Sequence, residues 1–222
     1  MRLVVFDLDG TLIDSEKLIV DTVTRAFSAV GHKVPSEDDI RATSGITARE
    51  AMAILAPGAT PERVDAILES YRTHYRAVAG VSREPLFRGA LEALDRLAKA
   101  DDTTLAVATG KGYRGATALL EAHGLADRFQ SVQTPYHNAG KPNPQMLETA
   151  MSRAGVDRAP TVMIGDTVHD MRMAKSAGVS AIGVSWGYHL AVDLHSSGAD
   201  MVIDSFEELD AAIERVLGAR HA

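Results

Sequence analysis

Cysteine is absent from all 222 residues, which rules out disulfides, thiolate nucleophiles and Cys-ligated metals, and agrees with a cytoplasmic setting. Also missing is any apolar run near the roughly 20 residues that a bilayer-spanning helix requires, so a soluble protein without a membrane partner is expected. The opening stretch, Met1-Arg2 and a short apolar run ending at Asp7, is too short and too acidic for a secretory signal. Basic charge is in short supply. The 23 Lys and Arg face 30 Asp and Glu, a net charge of -7, whereas a nucleic-acid backbone demands clustered cations. That balance argues against a nucleic-acid partner, and an anionic substrate would have to be met by a local cation. The eight histidines offer no pair at zinc-ligand spacing backed by a third ligand. There is no internal repeat and no low-complexity segment.

What is present is ordinary globular material, 45% hydrophobic and 24% charged, enough for one core or for one core with a small appended unit. The organising stretch is Val4-Val5-Phe6-Asp7-Leu8-Asp9-Gly10-Thr11. An apolar run that reads as a strand buried on both faces stops at two carboxylates, a glycine and a hydroxyl. In an open parallel sheet, ligands gather beyond the carboxyl ends of such strands. Two carboxylates two residues apart repel, so keeping both ionised calls for a cation, and an all-oxygen ligand set suits Mg²⁺. A carboxylate can also attack phosphorus to form an acyl phosphate. The same residues fit a plain polar turn in which Asp9-Gly10 bends the chain and Thr11 caps a helix.

Beyond Asp14 the apolar spacing becomes helical. Helices are predicted near 15–30, 37–43, 47–55 and 60–79, with Ser36/Asp39 and Thr47/Glu50 as capping boxes and Thr60 as a cap before Pro61. This all-helical stretch, residues 15–82, reads as a small domain inserted into an α/β core made of 1–14 and 83–222. Such an insert can act as a lid that excludes water and selects the leaving part of a substrate. Thr47 and Arg49, in the Thr43–Arg49 stretch, are therefore candidate selecting residues, although Arg49 also fits a solvated helix-face charge. Tyr71, His74 and Tyr75 are spaced for one helix face and are expected to pack or to face solvent. From Phe87 onward, helices at 88–100, 113–123, 144–154, 168–177 and 206–217 alternate with strands at 104–109, 129–133, 161–165, 180–184 and 201–203, and Ser205/Glu208 reads as a capping box of the last helix. That alternation predicts a doubly wound parallel sheet with helices on both faces.

Three further pieces carry chemistry. Thr109 ends the second core strand and opens Gly110-Lys111-Gly112-Tyr113-Arg114-Gly115. This is G-x-G-x-x-G in form, but it is not the first βα turn and has no acidic ribose partner downstream, so Thr109 and Gly110 suit a single phosphoryl group better than a dinucleotide. In Gly140-Lys141-Pro142-Asn143-Pro144, Asn143 can cap a helix starting at Pro144 and hold Lys141 where its ammonium could neutralise a phosphate oxygen and favour an ionised Asp7. A solvated turn lysine is the alternative. Finally, the apolar run Val162-Met163-Ile164 ends in Gly165-Asp166-Thr167-Val168-His169-Asp170. Asp170 would lie in the first helical turn, where the macrodipole favours a carboxylate, while Asp166 has little packing reason to end a buried strand.

Asp7-Leu8-Asp9-Gly10-Thr11-Leu12, the Thr109 hydroxyl, Lys141-Pro142 and Gly165-Asp166-Thr167-x-x-Asp170 together resemble the four ordered motifs of the haloacid dehalogenase superfamily. The helical insert resembles that superfamily's cap. Within it, the chain is most similar to phosphoglycolate-phosphatase-like hydrolases, through Ile13-Asp14-Ser15 after the first motif and Ile182-Gly183-Val184-Ser185-Trp186-Gly187-Tyr188. The resemblance implies a Rossmann-like core and Asp7 as nucleophile, with Asp9 as general acid and then base. It also implies Thr109 and Lys141 as phosphate holders, Asp166 as a Mg²⁺ ligand and Asp170 as metal support, directly or through water. Asp7 and the Asp9 carbonyl would complete the metal's ligands. The substrate implied is a small soluble phosphomonoester such as 2-phosphoglycolate. Two alternatives remain at this level: a sugar phosphomutase, although positions 15–25 hold no histidine to transfer a proton, and a non-catalytic phosphate-binding regulator. Oligomeric state is not legible in the sequence.

Overall fold

A computed structural model describes residues 1–79 and 84–219. Six strands, β1 (Arg2–Phe6), β2 (Thr103–Ala108), β3 (Ser131–Gln133), β4 (Thr161–Gly165), β5 (Ser180–Val184) and β6 (Met201–Ile203), form one all-parallel sheet in the order β3-β2-β1-β4-β5-β6. β1 is central, with Val5 opposite Ala106 of β2 on one side and opposite Met163 of β4 on the other. Flanked at both edges and covered on both faces, Leu3 to Phe6 are fully buried. This is why the run lacks the alternation of a half-exposed strand.

The two-residue period of a strand sends Val4 and Phe6 to one face and Leu3 and Val5 to the other. Over the first face pack α5 (Ala90–Ala98), α6 (Tyr113–Ala122) and α10 (Leu209–Gly218). Over the second pack α7 (Gln145–Ala154), α8 (Val168–Ala177) and α9 (Ala191–Ser197). Each large apolar side chain fully buried in these layers contributes about 1.5–3 kcal/mol, so the two faces together fix the height of every strand end. From β1 the sheet grows outward through β2 to β3, then the chain crosses back and grows the other way from β4. The direction of winding therefore reverses between β1 and β4, the place where doubly wound sheets open a crevice.

Among the described residues between β1 and α5 stand four helices, α1 (Glu16–Ala29), α2 (Glu37–Ala42), α3 (Ala48–Leu55) and α4 (Pro61–Ala79). They close on one another around Val23, Phe27, Ile40, Met52 and Ile67, a cluster separate from the two sheet cores. Where the chain leaves and re-enters the sheet layer, Asp14 N–H donates to the Pro85 carbonyl and Phe87 N–H to the Leu12 carbonyl. The expected boundary at residues 82 and 83 lies outside the described residues. Capping boxes form at Ser36/Asp39 and Thr47/Glu50, as their spacing predicts.

Two local expectations give way. The last helix starts at Leu209, not at 206, and Ser205 donates to the Glu208 carboxylate without capping it. Phe206 is instead a turn residue driven into the core against Trp186, ring centroids 4.7 Å apart, with its carbonyl taken by Arg96. α9 has no counterpart among the expected elements. It spans seven residues, and the apolar Leu190 and Val192 beside and within it face solvent, so no helical stripe marks it in the sequence.

Candidate active site

β1, β2 and β4 are neighbours and parallel, so the residues that follow them, Asp7, Thr109 and Asp166, emerge side by side at one edge of the sheet. The ladder continues one step past each of the first two strands, with Asp7 N–H on the Ile164 carbonyl at 2.9 Å and Thr109 N–H on the Gln133 carbonyl at 3.0 Å. After Asp7 the chain turns sharply. Gly10 has φ of +82°, and a Cβ there would lie 2.2 Å from Asp166 Oδ2, so only glycine lets the first loop close over the end of β4. Thr11 Oγ1 then donates to Asp166 Oδ1 at 2.8 Å, and the Tyr188 N–H donates to Asp166 Oδ2 at 2.9 Å.

Asp170 is brought in by a third capping box, at the start of α8. Its Oδ2 accepts from the Thr167 hydroxyl at 2.6 Å and from the Thr167 N–H at 3.1 Å. Gly165 leaves room for it, since a Cβ there would sit 2.4 Å from Asp170 Cγ. Carboxylate oxygens of Asp7, Asp166 and Asp170 lie within 4.8 Å of one another, and all three residues are buried.

Into this cluster reaches Lys141, far from the solvated turn its sequence context also allows. Its side chain is 0% exposed, with Nζ 2.8 Å from Asp7 Oδ2 and 2.6 Å from Asp170 Oδ1. Asn143 accepts from the Gln145 N–H at 3.0 Å, the bond expected of a cap ahead of Pro144, although α7 itself begins at Gln145, one residue later than expected. Burial pulls the Lys141 ammonium toward deprotonation, but Asp170 and Asp7 outweigh it and the net shift is upward. Burial pushes Asp7 up to about 6 even though Lys141 opposes the shift, and Asp170 and Asp9 add to it. Asp166 is raised well above the usual carboxylate range by burial and by Asp7 and Asp170, against the Tyr188 and Thr11 hydrogen bonds.

Three buried carboxylates thus face one buried ammonium. The cluster is short of positive charge, and its donors are all hard oxygen, the chemistry that a divalent cation such as Mg²⁺ or Ca²⁺ satisfies. The residues fit such an ion, with Asp7, Asp166 and Asp170 as its side-chain holders. The Asp9 carboxylate is outside that group. It turns to Lys111, whose Nζ is 2.9 Å from Asp9 Oδ2, 2.9 Å from the Tyr75 hydroxyl and 4.8 Å from the Tyr75 ring centroid. Burial disfavours the Lys111 ammonium, and Asp9 followed by Tyr75 more than restores it, leaving the group raised overall. Asp9 Oδ1 is buried without a hydrogen-bond partner among the described residues.

Asp7, Asp9, Thr109, Gly110 and Lys111 line one cavity. Thr109 Oγ1 accepts from the Lys111 N–H at 3.2 Å, which leaves its proton to donate. Above Gly110 lie the carbonyls of Gly45 and Ile46, each 2.7 Å from where a Cβ would be. They occupy the close approach that a dinucleotide's pyrophosphate would need. Thr47 and Arg49 are not brought to the cavity. The Thr47 hydroxyl is held in its capping box by Glu50 at 2.5 Å, and Arg49 pairs with Asp65 at the surface, both side chains 55% exposed. The insert meets the cavity instead through Thr43–Ile46 and Ala48. Thr11, which the sequence also offers as a helix cap, instead donates to Asp166, and Lys111 and Tyr75 were not readable as site residues. The sequence marks Lys111 only as a variable position in a glycine pattern, and Tyr75 is remote from it along the chain.

Over residues 4–184 the chain matches the family model described as Haloacid dehalogenase-like hydrolase. It is 41% identical to the probable phosphatase IndB of Dickeya dadantii, over 99% of this chain and 94% of that protein. It is 34% identical to a phosphoglycolate phosphatase of Agrobacterium fabrum, over 99% and 95% respectively. Among solved structures, a hydrolase from Pseudomonas syringae gives a TM-score of 0.86, covering 97% of this chain and 99% of that one at 24% identity, a likeness of fold.

Proposed function

Because the chain belongs to the haloacid dehalogenase-like hydrolase family, we propose that it is a Mg²⁺-dependent phosphatase of small phosphomonoesters that works through an aspartyl phosphate on Asp7. The observation that carries this reading is the buried Asp7/Asp166/Asp170 cluster neutralised in part by Lys141, with Asp9 alongside. A bound Mg²⁺ would supply positive charge to the phosphoryl oxygens and hold the phosphate against Asp7.

The chain's own residues do the rest. Asp7 attacks phosphorus in line, forming an O–P bond as the ester O–P bond breaks. Asp9 gives its proton to the departing alkoxide, then takes one from the water that hydrolyses the aspartyl phosphate, so its protonation state is restored. Lys111, itself held by the Tyr75 hydroxyl, pairs with one oxygen of that carboxylate, and the other, Oδ1, is left without a hydrogen-bond partner among the described residues, free to serve the reaction. Lys141 counters charge on the transferring group, while Thr109 donates its hydroxyl proton and Gly110 its N–H to phosphate oxygens. The helices of residues 15–82 act as a cap over the core of 1–14 and 83–222, excluding water during transfer. The Agrobacterium relative is named a phosphoglycolate phosphatase, which makes 2-phosphoglycolate one substrate to try.

Hydrolysis of p-nitrophenyl phosphate with Mg²⁺, measured beside Asp7→Asn, tests the reading. The wild type is expected to turn over and to trap phosphate on a peptide containing Asp7, and the variant to do neither. Equal, negligible rates in both would favour the phosphate-binding regulator instead.

A further inference from the structure

Resting on that phosphatase reading and narrowing it, we infer that the leaving part of the substrate is an uncharged alcohol with an apolar or aromatic body and not a carboxylate-bearing fragment. The cavity over Asp7 and Asp9 has two unlike walls. One is the polar edge of the sheet just described. The other is the inner side of the inserted helices, where Ile19, Val23, Ile40, Ile46, Met52 and Tyr71 form the lining. Val23, Ile40 and Met52 belong to the buried cluster that holds α1 to α4 together, so the apolar wall is fixed by the packing of the insert itself.

Charge recognition is missing from that wall. Neither arginine nor histidine is among the described lining residues, and the lining cation, Lys111, is already engaged by Asp9 and Tyr75. Of the hydroxyls on the insert side, Thr43 donates to the Ile40 carbonyl at 2.8 Å. Those of Ser44 and Tyr71 are neutral and offer hydrogen bonds but no countercharge. A carboxylate placed there would lose its water against hydrocarbon with no free cation among the described lining residues to balance it, an arrangement unfavourable to a charge. A hydrocarbon body would instead be gripped, since each methylene that a hydrophobic pocket accepts is worth about 10- to 200-fold in kcat/KM. The leaving part of 2-phosphoglycolate, two carbons ending in a carboxylate, is thus the wrong shape and the wrong charge.

The test compares kcat/KM for benzyl phosphate, n-butyl phosphate and 2-phosphoglycolate at saturating Mg²⁺, with p-nitrophenyl phosphate as the control for chemistry. Benzyl and butyl alcohols are poor leaving groups, so an advantage for their esters reports binding of the body. One or both should exceed 2-phosphoglycolate by about tenfold or more. Ile46→Lys, at a partly buried wall position, should narrow or reverse that ratio, and Ile19→Lys on α1 repeats the test should the first variant misfold. A wild-type preference for 2-phosphoglycolate, as would follow if Lys111 left Asp9 to bind the carboxylate, overturns the inference. An unchanged ratio in both folded lysine variants overturns it too. Failure to hydrolyse p-nitrophenyl phosphate removes the phosphatase reading and this inference with it, whereas hydrolysis of the control beside a phosphoglycolate preference removes this inference alone.

Discussion

Lys141→Met tests whether the buried ammonium holds the Asp7/Asp166/Asp170 cluster together. Methionine roughly matches the lysine stem in length, so the substitution removes charge while keeping most of the packing. In the wild type, Lys141 sits 2.8 Å from Asp7 and 2.6 Å from Asp170, and none of the three side chains is more than 2% exposed. Removing one partner of a buried ion pair strands the others and typically costs about 3–5 kcal/mol. For a chain of this size that corresponds to a fall in Tm of about 6–20 °C. The loss should depend on pH in a defined direction. Asp7 is raised to about 6 from an ordinary 3.8, so the folded chain binds this proton more tightly than the unfolded chain does. Its neutral form favours folding at low pH, and that contribution is lost as pH rises through about 6. Without Lys141 the carboxyl rises further, because the ammonium opposes the upward push of burial. The variant's deficit is therefore expected to be largest near pH 8 and smaller near pH 5.5. Thermal unfolding in EDTA at both pH values measures it, and added Mg²⁺ should recover part of the loss by replacing the missing charge. A deficit under about 2 °C at pH 8, or one of equal size at both pH values, would refute the assignment of Lys141 as the charge that balances this cluster.

Asp9→Asn should slow hydrolysis of an alkyl phosphate by about 10²- to 10⁴-fold, since a positioned acid and base is lost, and should also lower the unfolding midpoint, because it leaves the buried Lys111 ammonium without its charge partner. A near-normal rate with so poor a leaving group would end the acid–base role. Gly110→Ala places a methyl 2.7 Å from the Gly45 and Ile46 carbonyls, backbone atoms that cannot swing aside. It should lower kcat/KM about 5- to 150-fold, from about 1–3 kcal/mol of overpacking between insert and core. Wild-type kinetics and wild-type Tm together would mean that the two loops do not meet in solution.

Much of this molecule is written locally. The all-apolar run of β1 could only be a strand buried on both faces, and carboxylates placed directly after β1 and β4 had to emerge at one sheet edge once the strands were parallel. The capping boxes at Ser36 and Thr47 were legible because a cap and its N3 partner are three residues apart in any helix. α9 was not legible, since Leu190 and Val192 face outward and Leu194 is the one large apolar side chain it turns inward, too little to leave a period to read.

The sequence by itself therefore determined the alternation of elements, the parallel sheet and the set of acids that could meet beyond it. Tertiary structure alone decided which charges pair. Lys141 could have been a solvated turn residue, and it becomes a buried counter-charge only because α7 brings it under Asp7 and α8 brings Asp170 to meet it. Likewise Lys111 finds Asp9 and Tyr75, and an apolar wall faces the acids, because α1 to α4 fold back over the sheet edge. The physical reason is one of range: hydrophobic period and helix capping act over a few residues, whereas burial and Coulomb pairing depend on groups that the chain separates widely and only the packed fold sets within 3 Å of each other.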